Sequence, residues 1–147
     1  MPLAAAATAG VAADLDFLPG LLLGDPSRFH QGITHSLAAA LAFGVLAGAV
    51  VRPAVLGPPG RRMALFALLY ASHLLLDLFA VDTSAPVGIP LLWPLSAAAV
   101  HAPVSLFADV HHGASWGAFV NGHNLGTLGQ EVLLFGPATA TVFWWRW

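Results

Sequence analysis

Three fragments hold the residues best suited to acid–base or metal chemistry: Asp14-Leu-Asp16, His30-Gln-Gly-Ile-Thr-His35-Ser36, and Ser72-His73-Leu-Leu-Leu-Asp77. Imidazole nitrogen and carboxylate oxygen are the donor types expected around a zinc-like ion when sulfur is absent. His73 and Asp77 stand four residues apart, so on a helix they share one face. An acid in a strongly apolar helix is costly unless paired, which marks this pair either as a structural or proton-relay couple or as metal ligands. His35 precedes an apolar run. Near a helix N-terminus positive charge is disfavoured, which favours the neutral, metal-binding imidazole. Thr34 or Ser36 beside it reads as an ordinary N-cap. His30 is the more loop-like of the two histidines and joins the set as a possible member. Asp14 and Asp16 follow an apolar helical block, where carboxylates oppose the helix dipole and need another stabiliser. A cation or a hydrated surface turn would serve. A second group, His123, Asn124 and Glu131, offers second-metal or substrate contacts, with His101, Asp109, His111 and His112 nearby in sequence. Asp25 and Asp82 read as turn residues beside Pro26 and Thr83.

The elements that must position these residues are apolar. Of 147 residues, 58% are hydrophobic and 8% charged, with mean hydropathy +0.79; soluble domains carry about 25% charged residues. One integral membrane domain spanning 1–147 is expected. Net charge is −2 and the chain lacks Lys, which argues against nucleic acid as a partner. Absence of Cys excludes disulfides and thiolate metal sites. Val11-Ala-Ala13 faintly resembles a signal-peptidase site, but no Lys or Arg precedes the apolar start, so an uncleaved segment is expected.

Apolar blocks run over 1–13, 33–52, 62–80, 87–108 and 128–147. A spanning helix needs about 20 residues, so an all-α bundle of about four spanning helices is expected. Pro90, Pro94 and Pro103 break the block at 87–108, between the third and last helices. The linker from Arg52 to Arg62 holds three of the five Arg, which puts it inside by the positive-inside rule. His73 then lies ~16 Å along its helix from Arg62, and the acids and histidines gather towards the outer side. The expected location is the inner membrane, multi-pass, with the site facing outward.

The fragments, in this order, resemble the YdjM-type family of inner-membrane-associated metal-dependent hydrolases. The resemblance covers Asp14-Leu-Asp-Phe-Leu-Pro-Gly20, His30 to Ser36, Ser72 to Asp77, Gly88-Ile-Pro-Leu-Leu-Trp-Pro-Leu-Ser96, His123-Asn124, Glu131 and Gly136-Pro137. It departs at Gln31, where the family usually has a basic residue, and at Ala13, where it usually has Pro. It implies a membrane hydrolase with these His and Asp as ligands. A fainter similarity, to zinc-dependent phospholipases C, points towards phosphoester chemistry.

Taken together, the metal ligands expected are Asp14, Asp16, His35, His73 and Asp77, with Asp16 and His30 as catalytic residues. The ion is Zn²⁺ first, with Mn²⁺ or Fe²⁺ as alternatives. The donor set exceeds that of a single catalytic zinc, which leaves room for two ions or for one ion and a carboxylate base. The reaction expected is attack of activated water on an ester or phosphoester of a small-molecule or lipid substrate. A metal or proton carrier and a purely structural membrane protein are the competing classes. The inner half offers no titratable group besides Arg, which favours the enzyme over a carrier.

Overall fold

The computed structural model describes residues 3–24, 26–51, 56–82, 87–108 and 120–144, and its regular elements are helical. Helix α1 (Leu3–Gly10) leads into a 3₁₀ turn at Ala12–Asp16 and then α2 (Phe17–Leu22). Two more 3₁₀ turns, Pro26–Phe29 and Ile33–His35, precede α3 (Leu37–Val50), α4 (Pro59–Leu78) and α5 (Gly122–Trp144). The all-α class is as expected. Among the described residues, sheet-like pairing is confined to isolated bridges, Ala80 with Phe107 and Ile89 with Val100.

Helix α3 begins where Ser36 offers its hydroxyl to the Ala39 N–H at 3.2 Å while donating to the Ile33 carbonyl at 2.7 Å. Pro59 starts α4, where its missing N–H costs nothing. The two helices pack closely because Ala40, Gly44 and Gly48 form a buried small-residue stripe along α3. A Cβ on Gly44 would stand 2.6 Å from Ala67 Cβ, and one on Gly48 would stand 2.6 Å from the Met63 backbone nitrogen. At that end Arg62 donates to the carbonyls of Gly48 (3.0 Å) and Gly57 (2.9 Å), so this arginine ties the two helices as well as adding charge. Two apolar clusters fill the space between α1, α3 and α4, one around Ala9, Leu56 and Phe66, the other around Ala13, Ala40, Tyr70, Leu74 and Ile89.

The segment 87–108 contains no helix, in keeping with its prolines. It instead satisfies the open end of α4. The N–H groups of Ala102 and Leu106 bond the carbonyls of Leu78 and Phe79, and the His101 ring donates to Ala80. The Leu37 N–H bonds the Leu91 carbonyl at 3.0 Å, tying the start of α3 to the same segment. Asp82 accepts from the Gly88 N–H at 2.7 Å, as a turn residue would. Asp25, Asp109, His111 and His112 lie outside the described residues.

The expected spanning helices are not met by any single element. Among the described residues, no helix is long and apolar enough to cross a membrane. The physical reasons are local. Ile33–His35 forms a 3₁₀ turn, leaving α3 with 14 residues, ~21 Å against the ~30 Å of a bilayer core. Helix α4 has Arg61 and Arg62 in its first turn and Asp77 in its last, and α5 carries His123, Asn124, Gln130 and Glu131.

Candidate metal centre

The site forms where the Ala12–Asp16 turn, the Ile33–His35 turn and the last two turns of α4 meet. A 3₁₀ turn has three residues per turn, so it sets Asp14 and Asp16 at different angles around its axis. The two acids therefore present their carboxylates to different partners. Asp14 Oδ1 lies 3.1 Å from His73 Nε2 and 3.7 Å from His35 Nε2. Asp16 takes the other edge of His35: its Oδ2 is 3.2 Å from Nδ1, and its Oδ1 is 3.3 Å from His30 Nδ1. The acids thus lie within a 3₁₀ turn and not at the end of α1.

His73 and Asp77 share a face of α4, as their spacing requires, with His73 Nε2 3.4 Å from Asp77 Oδ2. The same Asp77 oxygen is 3.4 Å from His35 Nε2. His35 Nε2, His73 Nε2 and Asp77 Oδ2 therefore converge, with Asp14 Oδ1 beside the two imidazoles. His35, His73 and Asp77 form one group whose ligand atoms all lie within 4.8 Å of one another, and separations of 3.4 Å from Asp77 Oδ2 to each imidazole suit a shared cation. His35 Nε2 and Asp77 Oδ2 are buried and lack a hydrogen-bond partner. Orphaned atoms of this kind are rare in proteins and call for an explanation. A divalent cation between them fits the donor set. Two overlapping groups among the described residues could hold an ion, Asp14–His30–His35 and His35–His73–Asp77.

His30 reaches the site because Gln31 adopts a left-handed backbone (φ 57°), uncommon for a residue with a Cβ. The reversal stacks the His30 ring on Phe17 at 3.9 Å and sets it edge-on to His35 at 5.1 Å. Burial works to raise the Asp14 carboxyl, but the His35 and His73 imidazoles beside it outweigh that and hold it well below the usual carboxylate range. Asp16 is held down in the same way, by His30, His35 and the Thr34 hydroxyl against the pull of burial. Both acids are therefore anionic acceptors.

Two residues take roles that spacing alone did not suggest. Thr34, read as an N-cap candidate, instead donates to Asp16 Oδ2 at 2.6 Å, and Ser36 caps α3. Tyr70, buried on α4, donates to the Thr34 carbonyl at 2.8 Å and holds that turn against the helix. The signal available was positional: Tyr70 precedes His73 by three residues and Asp77 by seven, on the same helix face. His123, Asn124 and Glu131 lie on α5, and neither His123 nor Glu131 belongs to a metal-capable group among the described residues. Asn124 is buried, its N–H bonded to Asn121 Oδ1 at 2.9 Å.

A family model described as YdjM inner membrane protein matches residues 1–147. No curated protein and no solved structure matches the chain.

Proposed function

The chain belongs to the YdjM inner membrane protein family, and on that premise we propose that it is a membrane-embedded, metal-dependent hydrolase acting on an ester or phosphoester. The observation that carries this reading is the buried, unpartnered pair of His35 Nε2 and Asp77 Oδ2, 3.4 Å apart and flanked by Asp14 and His73. Asp14, His35, His73 and Asp77 would hold the ion, Zn²⁺ before Mn²⁺ or Fe²⁺ on the chemistry of the donors. Two carboxylates and two neutral imidazoles balance a divalent charge.

A divalent cation held there supplies Lewis acidity, polarising an ester or phosphoryl oxygen and making water a better nucleophile. The protein supplies the rest. His30 and Asp16, 3.3 Å apart, form the proton-handling pair. They accept the proton of the attacking water and return it to the leaving group. Stacking on Phe17 limits the rotation of the His30 ring, so the proton is handled at a fixed position. His123, Asn124 and Glu131 remain as substrate contacts from α5.

The membrane reading draws support from the surface as well as the family. Leu41, Val45, Leu46 and Val50 on α3, and Leu68 and Leu75 on α4, are exposed, a pattern suited to lipid contact. Arg61 and Arg62 open α4, and the metal ligands close it. That polarity supports a multi-pass bundle with the basic end inside and the site outward. A lipid or lipid-linked substrate is the class that suits this setting.

Elemental mass spectrometry on detergent-purified protein, wild type beside His35→Ala and His73→Ala, tests the reading. Near-stoichiometric zinc, manganese or iron is expected in wild type and not in the variants, with metal-dependent cleavage of short-chain phosphatidic acid or a nitrophenyl phosphodiester. No bound metal, and none taken up on titration, would refute it.

A further inference from the structure

The ring of His35 is fully buried and meets different chemistry at its two nitrogens. At Nδ1 stand Thr34 Oγ1 and Asp16 Oδ2, each at 3.2 Å. A threonine hydroxyl has one hydrogen and an ionised carboxylate has none. The Thr34 hydrogen is committed to Asp16 at 2.6 Å. Both oxygens near Nδ1 are therefore acceptors, and only a hydrogen on Nδ1 satisfies them. At Nε2 stand Asp14 Oδ1 at 3.7 Å and Asp77 Oδ2 at 3.4 Å, with no hydrogen bond made.

From this arrangement we infer that Thr34 and Asp16 act as a positioning pair that fixes the His35 tautomer, Nδ1 protonated and Nε2 bare toward the centre. Asp16 does so twice over. It accepts at Nδ1 itself, and by holding the Thr34 hydrogen it turns the Thr34 oxygen into a second acceptor. Tyr70 secures the arrangement by bonding the Thr34 carbonyl from α4. In this role the pair acts through His35 by way of Asp16 Oδ2, while the other carboxylate oxygen, Oδ1, faces His30. Groups placed behind a metal-binding imidazole in this way typically change metal affinity 10–100-fold when removed. The inference rests on the metal-binding reading for its consequence, whereas the tautomer itself is a property of the metal-free protein.

The consequence for substitution is specific. In Asp16→Ala the Thr34 hydroxyl is released, can turn, and can donate to Nδ1. The ring would then carry its hydrogen on Nε2, the form that cannot bind a cation there. In Thr34→Val the Asp16 oxygen still accepts at Nδ1, so the tautomer persists.

The test is ¹⁵N NMR of imidazole-labelled, metal-free protein at about pH 10, with zinc affinity measured in parallel. That pH lies above the value of about 9 to which, against the pull of burial, the neighbouring carboxylates raise the His35 ring. Wild type and Thr34→Val are expected to show the Nδ1–H form. Asp16→Ala should shift to Nε2–H and lose zinc affinity by about 10–100-fold. An Nε2–H signal in wild type would overturn the inference, and that spectrum decides the matter even if Asp16→Ala does not fold. So would an Asp16→Ala protein that keeps both the Nδ1–H form and wild-type zinc affinity. A wild type with the Nδ1–H form but no zinc uptake would refute the hydrolase reading and leave the tautomer assignment standing.

Discussion

On the proposed metal-binding reading, removing a bound cation should soften the protein by an amount the site itself sets. His35 Nε2 and Asp77 Oδ2 are buried without partners, and a buried unsatisfied polar atom costs ~1–3 kcal/mol. A cation satisfying both would therefore stabilise the native state by roughly 2–6 kcal/mol. Mass action gives a comparable figure, ~4 kcal/mol at a free ion concentration ~1,000 times Kd. For a chain of this size ~1 kcal/mol moves the melting midpoint by ~2–4 °C, so zinc against chelator should separate the midpoints by roughly 5–20 °C. The assay is thermal unfolding in detergent, followed by helical circular dichroism, with excess zinc or with chelator. His73→Ala, which removes one donor of the His35–His73–Asp77 group, should fold and lose most of the separation. Identical wild-type midpoints with and without zinc would refute the reasoning.

Other outcomes follow from the same contacts. Gly44→Ala should destabilise by ~1–3 kcal/mol, read as a lowered midpoint in chelator and zinc alike, because its Cβ would meet Ala67 and the Met63 carbonyl. Tyr70→Phe removes the bond to the Thr34 carbonyl and should cost ~0.5–1.5 kcal/mol, with weaker zinc binding in competition titrations. Ser36→Ala should cost ~1 kcal/mol, the usual value of an N-cap, measured by denaturant unfolding. Zinc affinity should fall as pH drops through about 9, because against the pull of burial the Asp14 and Asp16 carboxylates raise the His35 imidazole to about 9, so protons compete with the ion from there downward. The Asp14 carboxyl is held below the usual range and helps to raise His35, so Asp14→Asn should weaken binding and move the fall in affinity to lower pH.

Local periodicity revealed some of this site and long-range contact supplied the rest. His73 and Asp77 were legible because four-residue spacing on an apolar helix puts both on one face. His35 was legible from its place before α3, and the irregular course of 87–108 from its prolines. The 3₁₀ geometry of Asp14–Asp16 was not, because an apolar run does not distinguish the end of an α-helix from a tighter turn that follows it. His30 was undervalued for a related reason: its approach depends on Gln31 taking a left-handed conformation that nothing in the type of residue demands. Thr34 and Tyr70 were hidden because their bond joins residues 36 positions apart. A hydroxyl before a helix reads as a cap until the acid that receives it is in view.

Helices α3 and α4 are fastened at both ends. Gly44, Gly48 and Arg62 draw them together at one end, and at the other the Tyr70–Thr34 bond ties α4 to the turn that precedes α3. Prising them apart would break these ties, so traffic to the centre avoids the seam. Among the clustered side chains Asp14 is the most exposed, at 35%, while His35 is at 0%. Among the described residues the cluster is most open on the Asp14 side, so on the proposed reading substrate and product would share that approach. A departing fragment that still carries an anion would linger at the cation and block the next arrival. Kinetically, product should therefore behave as a competitive inhibitor.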